Sequence, residues 1–325
     1  MEKELFIAFS PHRVETLPFA LKFMKKCDVI ALEEPPNPVF EKVLKREAPI
    51  ETYIEEGNFW FPEFSKRLMK ELQRLYEEGK RVYQVEPYYQ EVRKIQGALE
   101  EGVAPESLKE DPLTAMVYQT ESKAFEKLLK YYELTFSSNF DEILDAVMEF
   151  AKADAERFLL RDRLRAVAIV NLLSQGKRFY IETGTIHIYF KKLLEVRLKG
   201  TCAIKHGFLL EEVVKRFAKK PWIFPPGETL TLRYIFKRKP NLREEKLLAA
   251  RSLIYIKVIP KQELIPSDND PYPHLSREVD AIKKVNLLDL KDCAELYYRM
   301  LPIKNYEDAK KVLDEYLSHK GIKVT

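Results

Sequence analysis

The feature that most constrains this chain is a repeated pattern: a short apolar run, an ionisable side chain just after it, then helical spacing. Residues 4–9 (ELFIAF) are followed by His12, residues 29–32 (VIAL) by Glu33 and Glu34, and residues 80–85 (KRVYQV) by Glu86. Runs of this length, rich in aliphatic and aromatic residues, read as buried strands. Between them, residues 16–26 place Leu17, Ala20, Leu21 and Met24 on one side of a helix. Residues 63–78 form a second, amphipathic helix ended by Gly79. Strand and helix in alternation predict an α/β fold with a mainly parallel sheet and right-handed crossovers.

A fourth instance, residues 176–194 (GKRFYIETGTIHIYFKKLL), reads as helix end, strand, tight turn and helix. Gly184 permits either a positive φ or a close backbone approach. His187 then stands just past a strand's carboxyl end. Ligands of open α/β sheets bind along that edge, and neighbouring strands lie ~4.8 Å apart. His12, Glu33, Glu86 and His187 are therefore expected to converge. Chance seldom sets ionisable groups at four successive strand ends.

The long helix over residues 141–175 carries Phe158, Asp162, Arg165, Ile169 and Leu172 on one face. Asp162 and Arg165 interrupt that apolar stripe, and Arg161 adjoins them. Unpaired charges there would be costly, so a pair between Asp162 and an arginine is expected. Glu182, inside the fourth strand, is a further partner for either arginine. Residues 90–140 are helical and polar, broken at Gly102, Pro105 and Pro112, and read as an insertion covering the sheet edge. Residues 201–205 and 229–236 (TLTLRYIF) read as strands, the latter at an edge. Residues 211–219, 242–258, 287–299 and 306–319 read as helices, with a proline-rich loop at 260–273. The expected division is an α/β core over residues 1–236, with the insertion at about 90–140, and a mainly helical extension over 237–325.

Two imidazoles with glutamate oxygens suit a divalent ion such as Mn, Zn, Co or Fe, with His12, Glu33, Glu86 and His187 as the candidate ligand set. Such an ion would acidify a water for hydrolysis. Without metal, a histidine held by a glutamate acts as a general base. No HExxH, GxSxG, P-loop or GxGxxG motif is present. The net charge of +4 over 325 residues is mild, and the basic clusters are interspersed with acids, so nucleic acid is not favoured as a partner. No segment has the ~20 apolar residues of a membrane span, and the N-terminal apolar run is too short for a signal peptide. The three cysteines are far apart and carry no metal spacing, which points to a reducing, cytoplasmic setting. Charged residues at 33% with only 10 glycines lean toward a thermophile's surface.

The segment RDRLRAVAIVNLLSQGKRFYIETGTIH, with the early strand–His turn and VIALEE upstream, resembles the TraB/Tiki, ChaN-like and erythromycin-esterase superfamily. There a Gly-x-x-His follows a late strand and an Arg-Asp helix precedes it. Gly184 to His187 fit the late motif and Arg161-Asp162 the helix signature. Glu33 is similar to the family's glutamate and His12 to its early histidine, although Phe9 stands where the family has glycine. The resemblance covers roughly residues 4–205. It implies hydrolysis by activated water at this edge, with His12 and Glu33 as base or metal ligand and His187 as ligand or transition-state stabiliser. Arg161, Asp162 and Arg165 would form the substrate-binding set for a small molecule or peptide. Two other readings stand beside the hydrolase. One is a non-catalytic binder of haem or a similar ligand, its pocket lined by Phe59-Trp60-Phe61 and Tyr88-Tyr89. The other is a scaffold whose C-terminal helices bind a protein or a second copy.

Overall fold

The computed structural model of the protein describes residues 3–57, 59–135 and 139–322. In chain order the elements are β1 (Lys3–Ser10), α1 (Leu17–Met24), β2 (Val29–Leu32), α2 (Phe40–Leu44), α3 (Ile50–Gly57), α4 (Pro62–Glu77), β3 (Arg81–Gln84), α5 (Pro87–Glu100) and α6 (Pro112–Leu134). There follow α7 (Phe140–Leu172), β4 (Arg178–Gly184), α8 (Ile188–Arg197), β5 (Cys202–Phe208), α9 (Leu209–Val214), α10 (Pro226–Ile235), α11 (Leu242–Val258), α12 (Pro273–Val285), α13 (Leu290–Met300) and α14 (Tyr306–His319). The chain divides into two units. The first comprises residues 1–121, 158–219 and 265–271, and the second residues 122–157, 220–264 and 272–325.

The first unit is the expected α/β sheet. Its five strands are all parallel, in the order β3-β2-β4-β1-β5. Side chains alternate between two apolar faces, as strand geometry requires. Ala8, Ile30, Leu32 and Tyr180 pack on α1 and α4 through Leu17, Met24, Phe64, Leu68 and Leu72. Leu5, Ile7, Phe9, Phe179 and Ile181 pack on the last turns of α7 and on α8 through Ala166, Ile169, Phe190 and Leu194. With both faces covered, the strands read as continuous apolar runs, the usual pattern of a parallel sheet. The central strand, β4, has β2 on one side and β1 on the other, so chain segments far apart in sequence end together at its carboxyl end.

The second unit is helical. Leu248, Leu253 and Ile254 of α11 pack with Ile282 and Val285 of α12, Leu296 and Met300 of α13, and Leu313 and Leu317 of α14. Its make-up departs from the expected break at residue 236. Residues 122–157 of the insertion and of α7 belong to it, as do residues 220–236. The segment 229–236 is not a strand but most of α10. Its period-two look is overridden by Pro226 at the helix start, where proline is favoured. Pro273 likewise opens α12 rather than extending the loop. Among the described residues no helix is long and apolar enough to cross a membrane.

The helix α5 starts three residues beyond the end of β3, at the carboxyl edge. Its Tyr88 and Ile95 pack with Leu108, with Val117 of α6 and with Leu160 of α7.

Candidate functional site

The carboxyl edge gathers six of the seven residues singled out from the sequence. Glu33, at the end of β2, is their hub. Its Oε1 lies 2.8 Å from His187 Nε2 and accepts from Arg161 Nη2 at 3.0 Å. Its Oε2 accepts from the backbone N–H of Gly184 and lies 3.5 Å from Arg165 Nη1. Arg161 also reaches Glu86 Oε2, at 3.3 Å. His187 Nδ1 is bonded to the Asp162 carboxylate. The result is a continuous array, Asp162–His187–Glu33–Arg161–Glu86, with Arg165 beneath it.

Each partner is placed by a specific element. Arg161, Asp162 and Arg165 come from consecutive turns of α7. Arg165 is 1% exposed, donates from Nε to the Val85 carbonyl at 2.8 Å, and donates from Nη2 to the Glu182 carbonyl. It thereby ties the carboxyl end of β3 to that of β4. Tyr89 of α5 stacks on the Arg161 guanidinium at 4.5 Å, and Phe158 sets its edge against the His187 ring at 5.1 Å. Gly184 is required by close approach rather than by a positive φ. A Cβ built there would stand 3.3 Å from His187 Cδ2 and 3.5 Å from Glu33 Oε2.

The expected Asp162–arginine pair is replaced by Asp162–His187. Arg165 points instead at two carbonyls and at Glu33. The physical reason is reach: His187 stands at the start of α8 with its ring between two carboxylates. Burial opposes charge on the ring, but Glu33 and Asp162 outweigh it and raise its pKa to about 9. Burial likewise pushes the Glu33 carboxyl up, and His187, Arg165 and Arg161 together hold it well below its ordinary range. Burial opposes charge on Arg161 as well, and Glu86, Tyr89 and Glu33 keep it protonated.

His12 stands outside this array. Its Nε2 is 3.8 Å from Glu182 Oε2, and a third (33%) of its side chain is exposed, against 5% for Glu33 and 3% for His187. The backbone at His12 has φ 53°, a left-handed conformation uncommon for a residue with a Cβ. Its N–H is held by Ser10 Oγ at 3.2 Å, and its ring lies 5.7 Å from that of Phe64 on α4. Phe9 does not displace it. That side chain is fully buried on the opposite face of β1, stacked on Phe208 at 4.4 Å. The partial desolvation of the ring, reinforced by Arg13, Arg165 and His187 against Glu33, lowers the His12 pKa. Burial raises Glu182, with Glu34 and Glu33 adding to it against Arg165, to about 8.

Sequence reasoning missed the place of Glu182. It sits in register with Ala8 of β1, on the same face as Tyr180, so its carboxyl faces His12 while only its backbone carbonyl meets Arg165. The available signal was an acid inside a buried strand. Also unforeseen is the neighbouring cluster in which Glu34 accepts from Tyr53 Oη and, at 2.9 Å, from Gln84 Nε2.

A divalent ion at the expected ligand set would have to displace existing contacts. Both Glu33 oxygens and both His187 nitrogens already have protein partners, and two guanidiniums stand where a second cation would be repelled. Among the described residues no group of three or more His, Cys, Asp or Glu side chains is arranged to hold a metal.

No family model matches the chain, and no solved structure matches it. It is 30% identical over 293 residues to an uncharacterized protein of Archaeoglobus fulgidus, an alignment covering 90% of this chain and 97% of that one. With identity at that level across nearly the whole of both chains, the protein belongs to the family of that archaeal protein.

Proposed function

We propose that the protein is a hydrolase, esterase- or peptidase-like, that activates a water at the carboxyl edge of its sheet with His12 as the base. The observation that carries this reading is the contrast between two neighbouring groups. The Glu33–His187–Asp162 array is buried and mutually satisfied, while His12 beside it keeps a third of its side chain exposed on a strained backbone. Backbone strain of this kind costs of order 1–3 kcal/mol and persists where surrounding structure enforces it, often at functional sites. His187, held as an imidazolium, is unsuited to be the base. With Arg161 it presents fixed positive charge, which suits the negative charge that develops on a carbonyl oxygen. The resemblance to the TraB/Tiki, ChaN-like and erythromycin-esterase superfamily supports the same reaction class. Cys27, Cys202 and Cys293 are free thiols, which suits a cytoplasmic setting.

The test is hydrolysis of simple ester and peptide substrates by wild type and His12→Ala, with and without Mn, Zn or Co. Turnover by the wild type without added metal, lost in the variant, is expected. Absence of turnover under every condition would leave the binding reading ahead. That reading has one observation of its own: Trp60 is 88% exposed next to Phe61, on which Arg13 stacks at 3.6 Å. A haem titration with a Soret change would favour it.

A further inference from the structure

We propose that Glu182 is the proton partner of His12: its carboxyl group donates to Nε2 of the ring and so sets which ring nitrogen is free to work on a substrate. This rests on the reading of His12 as the base and deepens it.

Ser10 pairs with Gly184 and Ala8 with Glu182, so β1 and β4 leave the sheet side by side. The left-handed backbone at His12 turns its ring back over the edge, bringing Nε2 within 3.8 Å of Glu182 Oε2. That is longer than a hydrogen bond and close enough to become one when a ligand settles, since catalytic hydrogen bonds in empty sites are often long. The Glu182 side chain is 2% exposed. A carboxylate so placed is costly even with the Glu33 backbone N–H and Arg165 beside it, and a carboxylic acid that donates to a neutral imidazole avoids that cost. The charged groups facing the pair are Glu33 and Glu34 after β2, Arg165 from α7, His187 before α8 and Arg13 from the His12 turn; Tyr53 and Tyr180 flank Glu182. Two carboxylates against one guanidinium favour the protonated form of Glu182, and its pKa of about 8 agrees with this.

The consequence is a balanced relay. With Glu182 protonated, Nε2 accepts and Nδ1 carries the ring proton. With Glu182 ionised, Nε2–H donates to the carboxylate and the Nδ1 lone pair is free. Attack then proceeds from the ionised form: water gives a proton to Nδ1 as its oxygen bonds to the carbonyl carbon, and Nε2 gives its proton to Glu182. On collapse, Nδ1–H protonates the leaving group as its bond to carbon breaks, and Glu182 returns its proton to Nε2. No proton is gained or lost over a turnover, and His12 stays neutral at each end.

The test reads the ring directly. Protein labelled with ¹⁵N-histidine contains five imidazoles, and His12→Gln identifies the signal of His12. The expected result is a change from the Nδ1–H to the Nε2–H tautomer as pH rises through about 8, lost in both Glu182→Gln and Glu182→Ala. An unchanged tautomer across that range, or the same change in Glu182→Gln, would overturn the pairing. In rate assays, kcat/KM is expected to rise about tenfold per pH unit below pH 8, with this limb absent in Glu182→Gln; the same limb in the variant would overturn the relay. A tautomer change without any hydrolysis would support the pairing and count against the hydrolase.

Discussion

Replacing Glu182 by glutamine should make the protein more stable at neutral pH, an unusual sign for a change at a buried charged position. The sign follows from proton linkage. In the unfolded chain the carboxyl ionises around 4.5, and in the folded protein burial and the neighbouring Glu34 and Glu33 hold the proton on to about 8. Between those values the folded state binds the extra proton, so stability falls as pH rises. The contribution is intact below 4.5 and lost progressively up to about 8. By pH 7 the loss amounts to about 3 kcal/mol. Glutamine removes this ionisation, and since its amide must be accommodated in the same space, a net gain of about 1–3 kcal/mol at pH 7 is expected. Urea unfolding of wild type and variant at half-unit steps from pH 5 to 9 measures it. The decisive quantity is the slope of the difference: the variant's advantage should grow with pH and level off near 8. His187 contributes a falling limb of its own between 6.5 and about 9, common to both proteins, and the His12 limb, a rising one, lies below 6.5, so the comparison is read above that pH. A variant that is less stable throughout, by an amount independent of pH, would refute the idea that Glu182 is protonated in the fold.

Two further substitutions test the array behind His12. Asp162→Ala leaves the His187 imidazolium with one buried carboxylate instead of two and is expected to cost about 3–5 kcal/mol in urea unfolding, with the His187 pKa falling in NMR titration. An unaltered His187 titration would show that the pair carries little of the shift. Gly184→Ala places a methyl group 3.3 Å from His187 Cδ2 and is expected to cost about 1–3 kcal/mol. Wild-type stability there would mean that the turn yields easily and that the close approach is not what requires glycine.

Much of this edge was readable from sequence because its logic is local. Each short apolar run ended at an ionisable residue, and a parallel sheet puts such ends together whatever the strand order. That logic put Glu33, Glu86 and His187 at one edge; the arginines that join them there came from the spacing of the long helix instead. It failed where side-chain direction mattered. The order β3-β2-β4-β1-β5 sets Glu33 beside His187 but sends His12 toward Glu182, one strand further along, and no spacing in the sequence encodes that. Helical spacing placed Asp162 and Arg165 on one face but could not show that α8 would offer the Asp162 carboxylate a histidine. In the second unit the failures came from proline. At Pro226 and Pro273 it opens a helix, and the same residue type inside a strand or loop pattern reads as a break.

The central claim, that His12 is the working base, is tested most directly by the turnover of His12→Ala against that of wild type on whichever ester or peptide the protein cleaves. Removal of a general base is expected to lower kcat by about 10²–10⁴-fold, with the thermal unfolding midpoint little changed because a third of the His12 side chain is exposed. Equal kcat in the two proteins would contradict it.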